Sequence, residues 1–138
     1  MVWPEPCWLV SLPVDALDAA AEWIGGAGGS FSALIVERDE VSLTLPESLW
    51  LGSPLRGLAK ASAGPFRALT LDLDVALDVT GYLAPLAERL AAEGVSIVPQ
   101  CAYAKDHVLV HEAQLEAAIG VVEALVAEAA EAVPDGEP

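Results

Sequence analysis

One order of elements, read twice, constrains this chain more than any other feature of its sequence. In the first half, Cys7 to Leu12 is short, apolar and β-prone and is closed by Pro13, which predicts a strand. Val14, Leu17, Ala21 and Ile24 then recur at helical spacing, with Asp15 and Asp18 in the first turn, where the helix dipole favours acids. Glycines 25, 26, 28 and 29 stop that helix. Ser30 to Glu37 is a nearly unbroken apolar run suited to a central strand, and Arg38 to Glu40 form a turn. Val41, Leu43 and Leu45 alternate with Ser42 and Thr44, a half-buried strand completing a hairpin. Pro46 to Trp50 starts a short helix with proline at an early position.

The second half repeats the order. From Arg67 to Asp74, Leu69, Leu71 and Leu73 point one way and Thr70, Asp72 and Asp74 the other. Thr80 and Gly81 open a helix with Leu83, Leu86, Ala87 and Leu90 on one stripe and Gly94 at its end. Pro85 is tolerated because it falls near the first turn. Val95 to Ala102 and His107 to His111 predict a second hairpin around Ala104 to Asp106, and Glu112 to Val133 a last helix ended by Pro134. The turns also read alike: Arg38-Asp39-Glu40-Val41 beside Lys105-Asp106-His107-Val108. Gly52 to Gly64 joins the halves. The expected organisation is a first unit over 1–65, a second over 66–134 and a disordered tail over 135–138.

A strand-helix-strand-strand-helix order has a simple solution. A right-handed crossover sets the first two strands side by side in parallel, the hairpin adds the third, and both helices cover one face. The expected fold is therefore α+β: two tandem ferredoxin-like units with antiparallel sheets and helices on one face. The other sheet face is bare, so each unit gains by pairing with another, which a duplicated chain supplies internally.

Composition closes off several roles. At 54% hydrophobic and 20% charged residues the chain can build a core and is not disordered. With 21 acids against 6 bases, a net charge of −15 repels polyanions, and no nucleic-acid partner is expected. The N-terminus has no signal-peptide pattern, and no uncharged apolar run approaches the roughly 20 residues of a membrane helix. The chain is read as cytoplasmic with no membrane partner. Cys7 and Cys101 are too few for a disulfide framework and are read as two reduced, buried thiols. Gly25 to Gly29 lacks the spacing of a phosphate loop, and no cofactor is expected.

The stretch from Phe66 to Leu115, containing DVTGYLAPLAERLAAEGVSIVPQCAYAKDHVLVHEAQL, resembles the ACT domain. It is most similar to small bacterial ACT proteins related to the cytosolic arginine sensors and to the regulatory domains of aspartate kinase. DEVSLTLPESL in the first half matches the same pattern. The resemblance implies two ACT-like units, a non-enzymatic regulatory role and an amino acid held between units. Carried onto this chain, the ligand positions are Asp78, Val79, Thr80, Gly81 and Tyr82, facing Ala102, Tyr103 and Asp106, with Ser42 and Leu43 from the first half. Free N–H groups at a helix start suit the ligand's carboxylate, Gly81 allows close approach, and Asp106 or Asp78 suits its ammonium. Gln100-Cys101-Ala102 stands where relatives carry a Ser-Thr pair, and no fourth strand follows the last helix. A homodimer would supply what the second unit lacks.

Plainer roles stand beside these. Thr80 serves as an N-cap, Asp78 and Asp106 as solvated turn residues, and Tyr103 as packing. Trp3, Trp8, Trp23 and Trp50 read as core or interface anchors. His107 and His111, about 13 Å apart along a strand, cannot easily share a metal ion. Cys101 and His107 could meet across a hairpin as nucleophile and base, but no orienting acid or oxyanion loop accompanies them.

Overall fold

In the computed structural model of the chain, residues 1–71 and 83–132 are described. The chain divides into two compact units, Val2–Leu69 and Met1 with Thr70–Pro138.

In the first unit β1 (Cys7–Leu12) leads through a 3-10 turn at Val14–Ala16 into α1 (Leu17–Ile24). β2 (Ala33–Val36) and β3 (Val41–Pro46) form the expected hairpin, and α2 (Glu47–Leu51) follows. A 3-10 turn at Pro54–Gly57 precedes β4 (Ala61–Leu71), and the unit boundary falls inside that strand. The strands lie in the order β2-β3-β1-β4, with every neighbouring pair antiparallel.

That order corrects one expectation. β1 and β2 run in the same direction but are not neighbours, because β3 inserts between them. The tight turn at Glu37 to Glu40, closed by Glu37 N–H to Glu40 O at 3.0 Å, forces β3 antiparallel to β2. Seated in the gap, β3 makes antiparallel ladders on both sides, which are slightly stronger than a parallel ladder. The result is a split β-α-β. β2 therefore lies at the edge of the described strands rather than in the centre, and its Ile35 and Val36 are exposed.

The register sets the core. Val10 faces Leu43, Leu12 faces Val41 and Trp8 faces Leu45, so all six share one sheet face. Ala16 and Ala20 from α1 and its entry turn, Trp50 from α2, and Leu55 cover that face. α1 and α2 thus lie on the same side, as the amphipathic spacing implies. β4 begins at Ala61, earlier than the apolar alternation from Arg67 suggests, because Ala61, Ser62 and Ala63 pair with Ser11, Val10 and Leu9. Small residues give no hydrophobic signal for such pairing. The β1–β4 register shifts between Cys7 and Leu9, and there the Trp8 ring lies against Gly64. At the N-terminus Val2 bridges Leu69 and Trp3 N–H donates to Ala68 O at 2.9 Å.

The second unit holds α3 (Leu83–Ala92), β5 (Ile97–Pro99), β6 (Asp106–His111), a 3-10 turn at Glu112–Gln114 and α4 (Leu115–Ala132). Leu86 and Leu90 are buried, as their stripe implies, and Gly94 closes α3 at φ +75°, a left-handed cap that favours glycine. β5 and β6 pair antiparallel, Val98 opposite Leu109. β5 is shorter than predicted, yet hairpin bonding continues past Pro99 through Gln100 N–H to His107 O at 2.7 Å and Ala102 N–H to Lys105 O at 2.9 Å. Gln114 donates to Gly94 O at 2.9 Å and so ties the start of the last helix to the end of α3. Arg89 forks onto Glu128 with both bonds at 2.7 Å, an exposed pair that adds little stability. In β4, Ala68, Leu69, Thr70 and Leu71 are all buried, so its end is covered on both faces rather than one. Residues 72–74, the rest of the predicted strand, lie outside the described residues.

Candidate functional site

The tip of the β5–β6 hairpin carries Ala102 and Tyr103, both exposed, and Tyr103 reaches 107% exposure, so its ring has no packing role in the described chain. Asp106 opens β6 and is half-buried. Its carboxylate accepts a hydrogen bond from the Cys101 thiol. Next to it His107 turns Nδ1 toward Thr70 Oγ1 at 2.9 Å. Thr70 is itself held in place: its N–H donates to Met1 O at 2.8 Å, and its carbonyl accepts from the Met1 ammonium at 3.0 Å. Asp106 and His107 are thus anchored, whereas Ala102 and Tyr103 stand out from the unit. Asp78, Val79, Thr80, Gly81 and Tyr82 lie outside the described residues.

Cys101 is exposed, which corrects the expectation of two buried thiols; Cys7 alone is buried. The bond to Asp106, with some burial and the carboxylate's charge, raises the Cys101 thiol above its ordinary value. A nucleophilic thiol needs the opposite shift. Burial pushes the Cys7 thiol up to about 11. At neutral pH an alkylating probe should therefore label Cys101 slowly, faster as pH rises, and should reach Cys7 only on unfolding. Fast labelling of either thiol at pH 7, followed by mass spectrometry, would contradict this geometry.

Burial lowers the His107 pKa, against a smaller raising effect of Asp106. The folded chain therefore binds a proton there less readily than the unfolded one. The sign follows: this contribution is intact above the unfolded value near 6.5 and is lost as pH falls below it. Urea unfolding at stepped pH should show stability dropping as pH falls below about 6.5, and His107→Gln should flatten that slope. His111 ends β6 and is exposed. Among the described residues no group of three or more His, Cys, Asp and Glu is placed to hold a metal ion.

In the first unit, Ser42 and Leu43 part company. Leu43 points into the core at 0% exposure, opposite Val10 and Leu34. Ser42 lies on the face away from the helices, opposite Ser11, whose hydroxyl donates to Glu40 at 2.5 Å. An open hollow of about 260 Å³ lies there, lined by Leu9, Ser11, Glu40, Ser42, Ala61 and Ala63. Ser11 and Glu40 were not among the expected ligand residues. The signal was present: Ser11 sits between Val10 and Leu12, and a period of two places it on the bare face.

Residues 62–124 match the profile of the ACT domain family. Over that stretch the chain is similar to the ACT domain. The antiparallel sheet and helices described above make an α+β architecture. The fold is shared with solved structures across nearly the whole chain. A Vibrio cholerae protein of unknown function, described as a possible transport protein, is 20% identical and matches with a TM-score of 0.70 over 91% of this chain and 88% of its own. Aspartokinase α and β subunits match at 15% identity and TM-score 0.68, over 91% and 92% of the two chains. The regulatory subunit of aspartate kinase from Thermus flavus matches at 12% identity and TM-score 0.61, over 89% and 94%. At such identities the likeness is one of fold. No curated protein matches the sequence at a significant level. Among the described residues no helix of the chain is long and apolar enough to cross a membrane.

Proposed function

We propose that this chain is a non-enzymatic regulatory ACT protein that binds a free amino acid. The observation carrying the reading is its likeness, over 89% of its own length and 94% of the other chain, to a regulatory subunit of aspartate kinase. The recurring strand-helix-strand-strand-helix order supports two tandem ACT-like units, residues 1–65 and 66–134, in a cytoplasmic homodimer. The ligand's carboxylate takes backbone N–H groups of Asp78, Val79, Thr80, Gly81 and Tyr82. Asp106 or Asp78 takes its ammonium, with Ala102, Tyr103 and Ser42 as flanking positions. The net charge of −15 favours a ligand with a cationic side chain. Regulation follows from a difference in ligand affinity between two arrangements of an interface.

Thermal unfolding with each of the twenty amino acids, followed by calorimetry, tests this directly. A true ligand at a hundred times its dissociation constant stabilises by about 2.7 kcal/mol. Asp106→Asn should weaken the hit. If no amino acid shifts the transition at millimolar concentration, the chain is instead a structural or protein-interaction ACT module. Gln100-Cys101-Ala102, which lacks a Ser-Thr pair, favours that second reading.

A further inference from the structure

A second hollow, of about 340 Å³, lies wholly within the first unit, between β1, α2, the Pro54–Gly57 turn and the start of β4. It shares no residue with the amino-acid site proposed above. Trp8, Trp50, Leu51 and Ala59 give it apolar walls, and Arg56 and Ser62 give it polar ones. The Trp8 ring is fixed on two sides. Its indole N–H donates to Glu47 at 2.8 Å, and Gly64 lies so close beneath the ring that a Cβ there would come within 2.7 Å of it. Trp50 is buried in the core cluster. An aromatic wall held this way is ordered before any ligand arrives, which lowers the entropy cost of binding.

Arg56 supplies the charge. Its Nη1 donates to Leu51 O at 3.1 Å, which holds the guanidinium at the rim, and no carboxylate pairs with it among the described residues. In a chain with 21 acids and 6 bases, an arginine with no acid partner among the described residues leaves most of a planar donor fork open to an anion from outside. The volume is at the small end of ligand sites, about 300 Å³ and up. One guanidinium matches one carboxylate, whereas a phosphate dianion would call for more cations and would be repelled more strongly by the negative chain. We propose that this hollow binds a small aromatic carboxylate, its ring against Trp8, its carboxylate on Arg56 and its edge toward Ser62.

The test is a ¹H–¹⁵N NMR titration of the full chain with phenylacetate, using phenylacetamide as the neutral control and Trp→Phe variants to assign the four indole N–H signals. Phenylacetate should move the Trp8 and Trp50 signals and leave those of Trp3 and Trp23 in place. The amide should need about tenfold more ligand for the same movement. Arg56→Gln should erase that difference, while Arg38→Gln, on the exposed β2–β3 turn, should keep it. The proposal is overturned if Trp8 does not respond to phenylacetate at tens of millimolar. It is equally overturned if acid and amide act alike on the native chain, or if Arg56→Gln keeps the preference.

Discussion

Gly64→Ala should lower the stability of the folded chain by about 3 kcal/mol, the combined scale of forced backbone strain and overpacking. Two independent facts converge on this position. Gly64 has φ +153°, a conformation that side-chain-bearing residues rarely adopt. An added Cβ would also lie 2.7 Å from the Trp8 ring, with two more ring atoms at 3.0 Å. The ring cannot easily retreat, because its N–H is tied to Glu47 and its neighbours Val10 and Leu12 are fully packed. For a chain of this size the loss corresponds to a fall in melting temperature of about 10 °C. Gly57→Ala is the control, since a Cβ there meets nothing within 4 Å. Equal melting temperatures for the two variants would show that Trp8 and Gly64 do not press on each other as described.

Leu43→Ala should cost about 3 kcal/mol without any ligand present. Leu43 sits on the central strand β3 at 0% exposure, facing Val10 across β1 and Leu34 across β2. Truncation leaves a cavity among Leu12, Val41 and Leu45, which are themselves fully buried and cannot collapse into it without giving up their own packing. Ser42→Ala is the informative partner. Its side chain lies on the opposite face, near Ser11 and Glu40, and its loss should leave urea unfolding almost unchanged. A small effect at Leu43 and a large one at Ser42 would mean that the register of β3 is off by one residue, since a one-residue slip exchanges the two faces.

The pairing of Leu43 with Ser42 as ligand positions illustrates a limit of reading strands from a motif. Adjacent residues in a strand point to opposite faces, so a match that covers both can place only one side chain at a surface. The same period of two predicts the fates of Ser42 and Leu43 correctly, and it marks Ser11 as a third member of the bare face. His107 is a different case. Its partner Thr70 lies 37 residues earlier in the chain, and nothing in either local pattern announces the contact.

Local spacing was sufficient for most elements. The stripes Leu17–Ala21–Ile24 and Leu83–Leu86–Leu90 became α1 and α3, the glycine at 94 became a left-handed cap, and the two base-acid turns became hairpins. These features depend on neighbours within a turn or two, so a sequence carries them directly. The α+β class follows from their order. What tertiary structure decided was which strands became neighbours. β3, not β2, lies beside β1, and Ala61 to Ala63 joined β4 although small residues mark no face. Strand pairing is a competition among backbone edges brought together from distant parts of the chain, and side-chain periodicity says which face is buried without saying which edge is taken. The same reason separates the two thiols: Cys7 and Cys101 both lie in apolar runs, and only the fold left one buried at a sheet row and the other exposed beside Asp106.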